Sequence, residues 1–207
     1  MNVSMRDLTP VRTYAVPMAR FIDAWNPGRD ELASLTNASI DRFLALLATA
    51  TAADVVFVPD DPDADDAAAS DPGELSLAWT LGHNIVHATA SGDEYAAIAA
   101  ELARGVDFHG RPRFETPWQA ITTVAQCRQR LEESRRIRQA SLAMWPDRPD
   151  LRRGYAPWRQ SGWVNAQGIF VWGLAHDESH HAQIAGILRQ ARAAAAGREP
   201  AAAGMAV

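Results

Sequence analysis

No lysine occurs in the 207-residue chain: the 20 basic side chains are all arginine, set against 25 acidic ones for a formal net charge of −5. The arginines are scattered rather than gathered into the basic stripe that nucleic-acid binding needs, so no nucleic-acid partner is expected. Their exclusive use carries no functional weight. Cysteine is nearly absent as well. With Cys127 alone, neither an intrachain disulfide nor a cysteine-based zinc site can form, and a reducing, cytoplasmic location is expected. No run of roughly 18 apolar residues appears, so no membrane span is expected. The opening stretch MNVSMRDLTPVRTYAVPMARF also lacks the unbroken apolar segment of an export signal. Strand patterns are scarce: VVFV at 55–58 is a candidate strand without a partner.

What is present is an ordinary globular composition, 47% hydrophobic and 22% charged, in a length suited to one domain with its own core. Asn26-Pro27, followed by Asp30 and Glu31, is a helix start with a capping residue, a first-turn proline and acids near the positive dipole end. Leu32, Leu35, Ile40, Phe43, Leu44 and Leu47 recur at helical spacing and predict a first helix over 28–50. Residues 59–73, PDDPDADDAAASDPG, predict a solvated loop. It lacks the glycine and terminal glutamate of a calcium-binding loop.

A second helix is predicted from Glu74 to about Ala90, broken or bent at Ser91 or Gly92, and continuing over 93–104. The loop 105–115 holds His109, expected at the surface. Thr116-Pro117 then opens a third helix that runs to Trp145 and stops at Pro146. Residues 146–163 form a long loop containing Tyr155, Trp158 and Trp163, rings that either roof a pocket or close the end of the bundle. The last helix runs from Asn165 to Ala196. Four long helices predict an all-α four-helix bundle over 26–196, preceded by an N-terminal extension over 1–25 and followed by a flexible tail over 197–207.

Six histidines are present, and four of them form two His-x-x-x-His pairs, His83/His87 and His176/His180, on predicted helices. Residues four apart share a helix face, so each pair aims two imidazoles the same way. Neutral imidazole binds zinc, nickel or iron, and two ligands on one helix need only one or two from a neighbour. Spacing alone leaves open which three or four imidazoles take part. His181 is rotated about 100° from His180 and is expected to face elsewhere. Glu178-Ser-His-His181 is a Glu-x-x-His unit, but a di-iron bundle needs a second copy, which the chain lacks. Asp177 and Glu178 are expected off the ligand face and in solvent, whereas Asn84 and Gln183 are candidate polar pocket residues.

Two stretches carry a family resemblance. WTLGHNIVH at 79–87 and HDESHHAQI at 176–184 resemble the helix-two and last-helix motifs of the DinB/YfiT-like family of metal-binding four-helix bundles. The first motif assigns His87, eight residues after the tryptophan. The second assigns His176 and His180, with Gln183-Ile184 completing it; Ala182 departs from the family's common glycine, a harmless change inside a helix. His83 is left as pocket lining or as a support to the ligands.

The resemblance implies a divalent transition metal, zinc ahead of nickel or iron, on His87, His176 and His180. Three protein ligands leave a coordination position for water or substrate. It further implies a metal-dependent enzyme that activates a small thiol or water, like thiol-dependent transferases, with a low-molecular-weight thiol as cofactor. The alternative is a non-catalytic metal-binding stress or sensing protein. A homodimer is implied too, because such bundles commonly pair.

Overall fold

The computed structural model describes residues 7–66, 72–113, 115–157 and 161–197. Among these are seven α-helices: α1 (Thr9–Arg12), α2 (Met18–Trp25), α3 (Arg29–Leu46), α4 (Ala52–Val55), α5 (Leu81–Ala103), α6 (Val124–Ala143) and α7 (Ala166–Ala196). The four long ones, α3, α5, α6 and α7, form the bundle. α5 packs most extensively on α7 and next on α6, and α3 lies against α6 and α7. No described helix is long and apolar enough to cross a membrane.

The chain's polar caps set the helix starts, and four expectations are corrected. The second helix begins at Leu81 rather than Glu74, because Thr80 Oγ1 accepts the His83 backbone N–H at 3.1 Å. Neither Ser91 nor Gly92 interrupts it. The third long helix begins at Val124 rather than Pro117. There Thr123 and Gln126 build a capping box, and Trp118–Ala120 forms only a single 3-10 turn. VVFV is not a strand: Val55 is the last residue of α4. The short strands that do form lie elsewhere, β1 (Gly154–Tyr155) pairing antiparallel with β2 (Val164–Asn165) across the aromatic loop. Part of the acidic loop (67–71), Phe114, Trp158 and the tail beyond Gly197 lie outside the described residues.

Two hydrophobic lobes share the bundle. One gathers Tyr95, Ile98 and Leu102 of α5, Leu142 of α6 and Ile169 to Ala175 of α7. Leu8, Val11, Met18 and Ile22, from the stretch expected as an extension, are buried in it. The other lobe gathers Ile40 and Phe43 of α3, Ile85 and Ala88 of α5, Leu131 of α6 and Ile184 to Leu188 of α7. Between the lobes each helix changes character. α7 reads His176 to Gln183, α6 places Ser134 and Arg138 inward, and α5 supplies Ser91 to Glu94. The molecule therefore has a polar waist, and a buried polar layer must satisfy itself internally.

Candidate metal centre

At the waist, α5 presents His87 towards His176 and His180, one turn apart on α7. One ring nitrogen from each lies within 4.8 Å of the others, so the three form a group that could hold a metal ion. The Nε2 atoms of His176 and His180 are 3.3 Å apart. Nitrogens about 2.0–2.1 Å from a tetrahedral zinc are separated by about 3.3–3.4 Å, so this pair already spans one edge of such a site.

The protonation states suit the same role. Burial pulls the pKa of His180 down to about 4 and that of His87 down to about 2, and places His176 well below the ordinary imidazole value. Mutual repulsion adds to the effect for His87 and His176. All three are thus neutral near pH 7 with lone pairs available.

The tautomer of His180 is set by its neighbour. Asn84, fully buried, donates its Nδ2 N–H to the Thr80 carbonyl at 3.1 Å. That bond turns Asn84 Oδ1 towards His180 Nδ1 at 2.9 Å, where Gln183 Oε1 also approaches at 3.1 Å. An amide oxygen only accepts, so Nδ1 carries the proton and Nε2 keeps the lone pair facing the other histidines. Asn84 is therefore a buried support behind His180, and Gln183 combines that contact with a place in the wall of a second, smaller pocket beside Trp79. His87 Nδ1 lies 3.3 Å from Arg113 Nη2 and 3.8 Å from Glu115 Oε1. His176 Nδ1 is buried without a partner among the described residues.

The other histidines separate cleanly. His83 lies outside the convergent group, its ring stacked between Trp79 (centroids 4.5 Å) and Trp118 (4.9 Å, planes 3° apart). His181 points to α3, with Nε2 3.1 Å from the Ser39 carbonyl oxygen and its ring 4.0 Å from that of Phe43. His109 is exposed beside Glu101.

Asp177 corrects the expectation of a solvent-facing acid: it is 0% exposed. Arg138 of α6 reaches it through Nη1–Oδ2 (2.5 Å) and Nη2–Oδ1 (3.2 Å), and Ser39 Oγ donates to Oδ2 at 2.8 Å. Being off the ligand face placed Asp177 in a neighbouring helix interface, not in water. Glu178 is half-buried, and desolvation raises its pKa.

A pocket of about 1200 Å³ opens over this group, with His83, His87, His176, Tyr95, Arg111 and Trp118 in its walls. Tyr155 also lines it, stacked face to face on Phe108 at 3.8 Å, so this ring of the aromatic loop takes the roofing role. Trp163 is 59% exposed and takes no part. The walls also bring in residues that the sequence did not single out. Arg111, Arg113 and Glu115 come from the stretch after Gly110, and Trp118 from the turn mistaken for a helix start. The only sequence signal for them is the Arg-Pro-Arg run at 111–113, and a loop's composition does not say which wall it will cover.

A family model described as the DinB superfamily matches residues 35–184, a span that includes all three convergent histidines. No curated protein and no solved structure gives a match.

Proposed function

The chain belongs to the DinB superfamily, and from that premise we propose that His87, His176 and His180 hold one divalent transition metal, zinc foremost, in a metal-dependent enzyme that activates a small thiol or water. The observation that carries this reading is the convergence of three neutral imidazoles, two of which, His87 and His176, line the wall of a large pocket. No cysteine or carboxylate joins the group among the described residues, so these three imidazoles would leave a tetrahedral ion room for water or substrate. When bound, such an ion supplies the Lewis acidity that lowers the pKa of a water or thiol ligand towards neutrality.

The chain's own residues do the rest. Asn84 orients His180, the Trp79–His83–Trp118 stack walls off one side, and Tyr155 with Phe108 covers the other. Elemental analysis of the purified protein is expected to give about one divalent metal per chain, and His180→Ala is expected to lose most of it. After cobalt substitution, a small thiol should alter the absorption spectrum. A bound metal whose spectrum ignores thiols would instead indicate a closed, structural site.

A further inference from the structure

The pocket is charged unevenly along its length. Glu74 and Asp66 lie at the end lined by His83 and Trp118, and both carboxylates bear on the His83 ring. Arg111 lies at the other end, with Tyr95, Tyr155 and Phe108, and its charge is felt by His87 on the near side. Arg111 is held in a particular way. Its Nε and Nη2 grip the two carboxylate oxygens of Glu94, the latter at 2.9 Å. The Glu94 side chain is only 1% exposed, so it is a fixed anchor.

This fork occupies one edge of the guanidinium. Among the described residues nothing bonds to Nη1, and the side chain is 58% exposed where it lines the pocket. Arg113 differs. Its three nitrogens are taken up by Glu115, Glu94 and Ser91. Of the two arginines, Arg111 is thus the one with a planar donor edge left over, pre-oriented by a buried carboxylate. Such an edge suits a planar anion.

We propose that Arg111 recognises a carboxylate on the substrate or co-substrate, which lies in the pocket with its anionic end between Arg111, Tyr95 and Tyr155 and its reacting end at His87 and His176. The acidic residues at the far end repel the same group and fix the direction of binding. Three neutral imidazoles would leave a bound dication uncompensated, so the loaded centre would favour a reacting end that binds as an anion, such as the thiolate common to all small thiols. Only the placing of the reacting end rests on the metal-dependent reading above; the carboxylate subsite is a property of Arg111 and Glu94.

The test has two arms on the full-length protein. In the first, cobalt-substituted protein is titrated with 3-mercaptopropionate, 2-mercaptoethanol and cysteamine, read by absorption. The wild type should bind the anionic thiol at least about tenfold more tightly than the neutral one, with no gain for the cationic one. Arg111→Gln should abolish that preference while leaving the affinity for 2-mercaptoethanol within about twofold. A preference that survives in Arg111→Gln, or is absent from the wild type, overturns the proposal.

In the second arm, benzoate is titrated against the same two proteins and read by tryptophan fluorescence, without any thiol. Arg111→Gln should weaken benzoate about tenfold, and equal affinities would overturn the subsite. If the cobalt spectrum ignores all three thiols, the thiol-activating reading fails and the benzoate arm alone decides on Arg111. Should Arg111→Gln unfold by leaving Glu94 short of a partner, the paired Glu94→Gln/Arg111→Gln variant removes both charges and is held to the same two outcomes.

Discussion

Among the six histidines, what separates a candidate ligand from a bystander is the environment of each ring. His83 and His87 sit one turn apart on α5, yet only His87 reaches the two rings of α7. His83 is instead held flat between two indoles. His83→Ala is therefore expected to keep about one metal per chain in a chelator competition, whereas a four-histidine site would lose affinity sharply. Asn84→Ala is expected to behave differently. It removes the nearer and fully buried of the two acceptors of the His180 Nδ1 proton, leaving Gln183 alone, and losing such a partner typically weakens metal binding about 10–100-fold. Nitrogen NMR of His180 would show the tautomer loosened in that variant, which a general loss of stability would not do. The histidine pairs were legible because a four-residue spacing maps directly onto a helix face. The asparagine was legible only as a polar residue, since its role depends on the Thr80 carbonyl that orients its amide. Asp177 was misread for a related reason: the sequence says which way a residue faces on its own helix, not what the next helix brings to meet it.

At the scale of the elements, the waist is held by a buried ion pair that joins α6 to α7 directly beside the ligands. Arg138 is 2% exposed and Asp177 is fully buried, and α5 makes room for the guanidinium at Gly92. A Cβ at position 92 would lie 1.9 Å from Arg138 Nη2. In an exposed helix, replacing glycine by alanine gains about 1 kcal/mol. Here the sign reverses, because the guanidinium can yield only by leaving Asp177, and breaking a buried pair costs roughly 3–5 kcal/mol. Gly92→Ala should thus lower the denaturation midpoint despite its helix propensity, and Asp177→Ala should lower it by about the full cost of the broken pair. A Gly92→Ala protein more stable than the wild type would contradict this packing. The same glycine explains why a bend was expected and none is found: it serves an approach between helices, not a break in one. Helix order and approximate extent were legible from apolar periodicity. The starts of α5 and α6 were not, because the stretch from Glu74 reads as continuous with α5 and Thr116-Pro117 offers an earlier start than Thr123, whereas the side-chain caps form at Thr80 and Thr123.

For the molecule as a whole, the waist makes stability depend on pH. Burial lowers the pKa of His83, His180 and His181 to about 4 each and that of His87 to about 2, and holds His176 well below its ordinary value. In the unfolded chain these imidazoles titrate near the ordinary value of about 6.5. Between those limits the unfolded state binds protons that the folded state refuses, so stability is intact above about pH 6.5 and is lost progressively as pH falls towards 4. Asp93 and Glu178, whose pKa values burial raises, act in the opposite sense and offset part of this loss. Chelator-treated protein should therefore show a denaturation midpoint that declines from pH 7 to pH 5, and a flat profile would contradict the burial of these rings. The proposed metal would add a second dependence on the same groups. An ion bound only by the folded state would stabilise it by mass action, and would have to compete with protons for the three imidazoles. The gap in midpoint between loaded and stripped protein is expected to be widest near pH 7.5 and to close on acidification. In His180→Ala the gap should vanish, while most of the acid sensitivity, carried by the four remaining buried rings, should persist.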